Sequence, residues 1–97
     1  MPRAASGGMS LRVILYGILR SIAGTKELRL DSSTVSEAEE ELSRRFGPRM
    51  REYLYDQDAV ESLTVVLNGR VLSKDEARAA RLQGEDVLEL LSPIGGG

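Results

Sequence analysis

The sequence predicts an α+β domain in which one main helix packs on one face of a sheet of four to five strands. Three features indicate this class. Short apolar runs lie near both ends of the chain, at residues 11–19 and 87–91. An amphipathic segment at 35–46 repeats its apolar residues at helical spacing. Asn68-Gly69 separates two further apolar runs, as a two-residue hairpin turn does.

Length and composition fit one small globular domain. The chain has 97 residues, of which 41% are hydrophobic and 29% are charged, and these values are ordinary for a soluble protein. No apolar stretch approaches the roughly 20 residues that a membrane-spanning helix needs. Residues 1–9 lack the apolar centre of a signal peptide and are expected to form a flexible leader before a domain at 10–91. We therefore expect a cytoplasmic protein that does not associate with membranes.

Missing residue types restrict the chemistry. The chain contains no Cys and no His, which removes disulfides, thiolate metal sites, cysteine nucleophiles and the usual general base. We therefore expect neither a catalytic centre nor a metal site. The net charge is −2, and the arginine cluster at 44–51 has no aromatic stacking platform beside it. Nucleic acid is therefore not an expected partner.

The apolar run from Leu11 to Leu19 is expected to be the first strand, because it is rich in β-branched residues. Alternation assigns one face of this strand to the core and the other to solvent. The core face carries Leu11, Val13 and Leu15, and the solvent face carries Arg12, Ile14 and Tyr16. Lys26–Leu30 alternates in the same way, so a second strand and a hairpin are expected there.

The main helix is predicted to begin with a capping box formed by Thr34 and Glu37. Its apolar stripe consists of Val35, Ala38, Leu42 and Phe46. Gly47-Pro48 is a strong stop signal. The glutamates at 37 and 39–41 are expected on the solvated face, with Glu40–Arg44 and Glu41–Arg45 ion pairs.

The second half of the chain predicts three strands. Residues 49–62 are expected to be an irregular connection with one short helical turn. Leu63–Leu67 and Val71-Leu72 flank the Asn-Gly turn, and a helical turn is expected at 75–81. In the last strand, Val87–Leu91, alternation places Leu88 and Leu90 in the core and the residues at 87 and 91 on the opposite face.

The given sequence ends on SPIGGG at 92–97, directly after the expected last strand. Glycine has no Cβ, so such a tail enters channels too narrow for other residues. The α-carboxylate of Gly97 is then the one functional group that the tail delivers. An ordinary frayed terminus is the alternative explanation. Residues 92–97 are expected to be flexible in either case.

Several segments in order resemble the MoaD family, the sulfur-carrying small subunits of molybdopterin synthase, within the ubiquitin-like β-grasp superfamily. They are ILYGILRSIAG at 14–24, VLNGR at 66–70, GEDVL at 84–88 and the SPIGGG tail. The resemblance covers residues 10–97 and extends to archaeal ubiquitin-like small modifiers. Ser92 and Gly95 depart from it, because the family often has proline and a residue such as alanine there. It implies a β-grasp fold with a mixed sheet.

The resemblance also implies a function. An E1-like adenylating enzyme of the MoaB/MoeB-like class would use ATP to activate Gly97, which then becomes a thiocarboxylate. Its sulfur would pass to a pterin precursor in the large subunit of molybdopterin synthase, for the molybdenum or tungsten cofactor. The chain would be a non-catalytic carrier that binds no cofactor itself. Tail residues would thread into the partner, and a hydrophobic set would dock on it. The threading residues are Pro93, Ile94, Gly95 and Gly96, and the docking residues are Tyr16, Val71 and Leu91.

Two other functions remain open on the sequence. A ubiquitin-like protein modifier would join Gly97 to substrate lysines through an isopeptide bond. A β-grasp interaction module would never be activated at its tail. The three expected docking residues also have an alternative explanation as ordinary surface residues, since scattered apolar side chains are normal on protein surfaces.

Overall fold

The computed structural model describes residues 10–55 and 63–92. Within them it has five strands and four helices. In chain order these are β1 (Leu11–Leu15), α1 (Gly17–Ala23), β2 (Glu27–Leu30), α2 (Val35–Phe46), α3 (Pro48–Tyr55), β3 (Thr64–Leu67), β4 (Arg70–Leu72), α4 (Lys74–Ala79) and β5 (Val87–Leu91). The predicted leader at 1–9 lies outside the described residues. None of the described helices is long and apolar enough to cross a membrane.

The strands form one mixed sheet in the order β2-β1-β5-β3-β4. β1 and β5 are parallel, whereas the β1–β2, β3–β5 and β3–β4 pairs are antiparallel. The two ends of the described chain therefore lie side by side at the centre of the sheet, with Leu15 opposite Leu90. The predicted α+β class and mixed β-grasp sheet are confirmed.

The core lies between one face of the sheet and the helices. On β1 and β5 every second residue is buried, and Val13 and Leu88 are both 0% exposed. The stripe of α2 faces these residues, with Ala38 and Leu42 also fully buried. Fourteen hydrophobic residues form this cluster, and it contains no buried polar residue in the described part of the chain. The predicted core faces of the first strand, the last strand and the main helix are confirmed.

The first strand is shorter than predicted. β1 ends at Leu15, and residues 17–19 belong to α1. Gly17 has a φ of 58°, a left-handed conformation that glycine adopts without steric cost and that turns the chain out of the sheet. Leu19 is fully buried, and Ile22 packs on the core three residues later, which is helical spacing. The strand prediction over 17–19 was wrong because a short apolar run suits either periodicity. The predicted antiparallel pairing of β1 with β2 holds, but α1 connects them.

The connection predicted to be irregular at 49–62 contains a helix in its described part. α3 begins at Pro48, because proline has no N–H to lose and a suitable φ in the first helical turn. Met50 and Leu54, four residues apart, are buried in the core. Gly47-Pro48 thus ends α2 as predicted and also starts the next helix. Residues 56–62 lie outside the described residues.

The Thr34 cap forms as predicted, but Glu37 reaches back to Ser33 instead of to Thr34, so the predicted capping box is only half formed. The Thr34 hydroxyl accepts from the Glu37 N–H at 3.1 Å, and the Glu37 carboxylate accepts from the Ser33 N–H at 2.8 Å. The turn predicted from Asn68-Gly69 joins β3 to β4, with φ angles of 52° and 86°. Two successive positive φ values are what a tight hairpin of this kind requires.

The charges on α2 differ from their predicted pattern. Glu41 binds both neighbouring arginines, with Arg44 at 2.7 Å and Arg45 at 2.9 Å. Arg44 therefore pairs with Glu41, at i,i+3, instead of with Glu40 as predicted, and the predicted Glu41–Arg45 pair is present. Glu39 is half-buried, so the prediction that it belongs to the solvated face was wrong. Glu39 lines a concave region together with Leu54 on α3 and Ala77 on α4.

Candidate functional site

The sheet face opposite the helices, here called the open face, carries a row of side chains across four strands. Ile14 on β1 lies opposite Glu89 on β5, Glu89 lies opposite Val66 on β3, and Val66 lies opposite Val71 on β4. Side chains of directly opposed residues on neighbouring strands are close enough to touch. Three of the four are apolar. The row therefore forms an apolar band that one carboxylate, that of Glu89, interrupts between Ile14 and Val66.

All three predicted docking residues belong to the open face. Tyr16 follows the last residue of β1, Leu91 ends β5, and Val71 is the middle residue of β4. Val71 is 65% exposed, which is high for a valine, while Tyr16 and Leu91 are half-buried. The fold thus brings the three onto one surface from distant parts of the sequence. Their role in docking stays a prediction.

Glu89 is a residue of this surface that sequence analysis missed. The Tyr16 hydroxyl donates a hydrogen bond of 2.6 Å to the Glu89 Oε2 atom. This bond, followed by burial and by the carboxylate charge, raises the pKa of Tyr16 above its usual value. One signal was available, since Glu89 is the single charge in the apolar run Val87–Leu91. Alternation with Leu88 and Leu90 in the core necessarily turns this charge onto the open face.

The β2 end of the open face is charged and contains an ion pair between β1 and β2. Two nitrogens of Arg12 donate to the two carboxylate oxygens of Glu27, at 2.8 and 3.0 Å. The hydrogen bond from Arg12 lowers the pKa of Glu27, and the same pair raises the pKa of Arg12. Such two-pronged pairs fix both side chains. Arg12 is therefore committed to Glu27, which lies directly opposite Ile14 at the β2 end of the apolar band.

The tail begins beside the open face. β5 runs parallel to β1, and the Tyr16 N–H donates to the Leu90 carbonyl at 3.3 Å where the pairing ends. The chain therefore leaves the sheet next to Tyr16 and Leu91. The predicted threading residues and Gly97 fall at 93–97, outside the described residues. Their roles stay predictions.

A concave region lies between α2, α3, α4 and the β3–β4 edge of the sheet, where Val71 also lines it. Its volume is about 380 Å³, and its lining includes Val35, Leu54, Ala77 and the half-buried Glu39. Burial raises the pKa of Glu39 to about 7. In the described part of the chain no hydrogen bond or ion pair reaches its carboxylate. Within residues 10–55 and 63–92, no group of three or more His, Cys, Asp or Glu is placed to hold a metal ion.

Comparisons with known proteins agree with this geometry. The model of the ThiS family matches residues 13–97. No curated protein gives a significant match to the sequence. The chain is similar to the solution structure of small archaeal modifier protein 1 from Methanosarcina acetivorans, with 25% identity and a TM-score of 0.73. That match covers 94% of this chain and 100% of the other.

Two further solved structures are similar at comparable identity. The crystal structure of small archaeal modifier protein 1 from Haloferax volcanii is 28% identical with a TM-score of 0.61, covering 91% of this chain and 99% of that one. A putative molybdopterin converting factor, subunit 1, from Pyrococcus furiosus is 26% identical with a TM-score of 0.63. That match covers 88% of this chain and 98% of the other.

Proposed function

This chain belongs to the ThiS family, and from that membership we propose that it is a ubiquitin-like sulfur carrier activated at the Gly97 carboxylate. The resemblance to the MoaD family and to archaeal ubiquitin-like small modifiers is thereby confirmed. The observation that carries the proposal is the extent of the family match, which runs through the glycine tail to Gly97. The likeness to a putative molybdopterin converting factor subunit supports molybdenum or tungsten cofactor synthesis as the pathway.

The chemistry requires a partner enzyme. A free carboxylate is a poor acyl donor, because its leaving group would be oxide. Attack of the carboxylate oxygen on the α-phosphate of ATP releases pyrophosphate and gives an acyl-adenylate, from which a sulfur nucleophile displaces AMP. The chain has neither Cys nor His with which to assist. Its contribution is to present the tail, while an E1-like enzyme and ATP supply the activation.

The open face supports the second part of the proposal, which is recognition. An enzyme that receives the tail must also contact the surface from which the tail emerges. That surface carries the half-buried Tyr16 and Leu91 and, farther across the sheet, the exposed Val71. Burial of such side chains is the main source of binding energy at protein interfaces. We propose that the adenylating enzyme and the large subunit of molybdopterin synthase dock there in turn.

Intact-mass spectrometry tests the proposed activation. The chain is incubated with the E1-like enzyme of the same organism, ATP and a sulfide donor. We expect the mass change of one oxygen replaced by sulfur, located by fragmentation at Gly97. A variant that lacks Gly97 is the matched control and should keep its melting temperature while losing the modification. An unchanged wild-type mass, or unfolding of the truncated variant, would contradict the proposal.

Protein modification is a second candidate, because two of the similar structures are named as small archaeal modifier protein 1. The same activated Gly97 would then form an isopeptide bond with a lysine. Lys26 and Lys74 are both exposed in this chain and would be available for self-conjugation. Digestion of cellular proteins followed by a search for glycine remnants on lysines distinguishes this function from sulfur transfer. Lysine remnants without a thiocarboxylate would favour the modifier.

A further inference from the structure

The Glu89 carboxylate occupies an unusual place for a charge. It lies in the apolar band of the open face, directly opposite Ile14 on one side and Val66 on the other. The Tyr16 hydroxyl satisfies only its Oε2 atom. No Arg or Lys in the described ranges forms an ion pair with it. Arg12, on the neighbouring strand, is already held by Glu27.

Docking changes the surroundings of this carboxylate. While the open face is in water, solvent satisfies the remaining lone pairs of Glu89. A purely apolar partner surface would remove that water and leave an uncompensated charge, which is strongly unfavourable. A basic side chain placed at the same point would instead form a charge-assisted hydrogen bond of the strong class. The band therefore fits a partner that is apolar around a single cation.

We propose that Glu89 is a specificity-determining residue of the open face and that it pairs with an Arg or Lys in the apolar docking patch of the E1-like adenylating enzyme. This inference rests on the proposed function. The adenylating enzyme is the occupant because both candidate functions begin with activation of Gly97. In addition, β5 carries Glu89 and leads directly into the tail that this enzyme must receive.

Tyr16 is a positioning residue in this arrangement. Its hydroxyl holds Oε2 at 2.6 Å, so the carboxylate keeps one orientation before the partner arrives. Pre-organisation lowers the entropy that is lost on binding. The Tyr16 ring supplies apolar contact at the same time. Tyr16→Phe therefore separates the two roles, because it keeps the ring and removes only the hydroxyl.

Glu89→Leu distinguishes a charge contact from simple apolar docking. On a surface recognised only by its hydrophobicity, this change extends the apolar band and tightens binding. If Glu89 meets a cation, the same change leaves that cation buried without a partner. The two models therefore predict opposite signs for one substitution.

The measurement is ATP–pyrophosphate exchange catalysed by the E1-like enzyme of the same organism, with the chain as varied substrate. We expect Glu89→Leu to raise KM for the chain about 10-fold to 100-fold with little change in kcat, because a buried charge loses its partner. Glu89→Lys should raise KM further, and Tyr16→Phe should raise it about 3-fold. Added salt should raise KM for the wild type and leave Glu89→Leu nearly unaffected.

Glu52 on α3 provides the matched control. It is exposed and lies on the helical side, away from the open face. Glu52→Leu and Glu52→Lys should leave KM within about 2-fold of wild type, as surface charges away from an interface do. Thermal melts of each variant verify that the fold is kept.

The outcomes separate the two proposals. Exchange with wild type, together with an unchanged or lowered KM for Glu89→Leu, overturns the role of Glu89 and leaves the proposed function standing. Equal effects of the Glu89 and Glu52 variants overturn it as well, since they would indicate only a general charge effect. Absence of exchange with the wild-type chain overturns the proposed function, and this inference with it.

Discussion

The two faces of the central strands β1 and β5 differ sharply, although alternate residues of the same two strands form them. On the covered face Val13 and Leu88 are both 0% exposed, whereas their sequence neighbours Ile14 and Glu89 are half-buried on the open face. Successive side chains of a strand point to opposite faces. One short strand can therefore contribute to folding with one set of residues and to recognition with the other.

Two glutamates in apolar surroundings extend this comparison. Glu89 on the open face accepts a hydrogen bond from Tyr16. Glu39, at the edge of the covered side, has no such donor in the described part of the chain, and burial raises its pKa to about 7. An acid that folding buries without a partner lowers stability when it is charged. We therefore expect Glu39 to affect stability and Glu89 to affect binding.

The largest expected effect on stability belongs to the covered face. Leu88→Ala should lower the free energy of unfolding by about 2–5 kcal/mol, because it leaves a cavity in a fully packed core. Leu91→Ala, three residues later on the open face, should cost less than about 1.5 kcal/mol, since Leu91 is only half-buried. Urea denaturation of the two variants measures both values. Equal losses would show that the open face is also part of the stabilising core.

The next effect comes from Glu39 and depends on pH. Its pKa rises from 4.5 to about 7 on folding, so the folded state favours the protonated acid. The contribution of Glu39 to the free energy of unfolding is therefore fully present below pH 4.5. It is lost as pH rises through about 7, because the charged carboxylate is disfavoured in the folded state. The free energy of unfolding should fall by about 1–3 kcal/mol over this range. This is less than the full pKa shift implies, because Glu39 is partly exposed to solvent.

Glu39→Gln should remove this decline and make the protein more stable than wild type at pH 8. The amide keeps the size of the side chain and carries no charge at any pH. Urea denaturation between pH 4 and pH 8 provides the comparison, with the exposed Glu52→Gln as control. Parallel pH profiles for wild type and Glu39→Gln would show that another group causes the dependence.

A smaller effect tests how α2 is fixed against the covered face. Thr34→Ala removes the hydroxyl that accepts from the Glu37 N–H and should cost about 1 kcal/mol. Thr34→Ser keeps the hydroxyl and should cost clearly less. Thermal unfolding of both variants measures the difference. Equal destabilisation would assign the effect to the lost methyl group instead of to the cap.

The smallest expected effect on stability belongs to Val71, which is 65% exposed. Val71→Ser should change the free energy of unfolding by at most about 0.5 kcal/mol, as surface substitutions usually do. The same variant should raise KM for the chain in ATP–pyrophosphate exchange, because an apolar contact to the partner is lost. An unaltered KM would remove Val71 from the docking surface and restrict that surface to β1, β5 and β3.

Much of the fold follows from short-range patterns. Alternation in Val87–Leu91 correctly assigned Leu88 and Leu90 to the core, and Asn68-Gly69 correctly placed the β3–β4 hairpin. The Thr34 cap and the stripe after it correctly placed α2. These features depend on neighbours within a few residues, where sterics and hydrogen bonding act locally.

Other features depend on contacts that the local sequence does not contain. The run after Leu15 suits a strand or a helix, and only the burial of Leu19 against the core selects α1. Pro48 ends one helix and starts another because Met50 and Leu54 find room in the same core. Glu39 is half-buried because α3 and α4 pack against α2.

The sequence by itself determined the fold class, the main helix and the two faces of the central strands, since periodicity and capping are properties of adjacent residues. Only the tertiary structure decided that Tyr16 and Glu89, 73 residues apart, share a hydrogen bond. Parallel pairing of β1 with β5 creates that contact and brings the start of the tail beside the open face. The physical reason is that strand pairing joins residues distant in the chain, whereas sequence patterns report only which side of a strand each residue occupies.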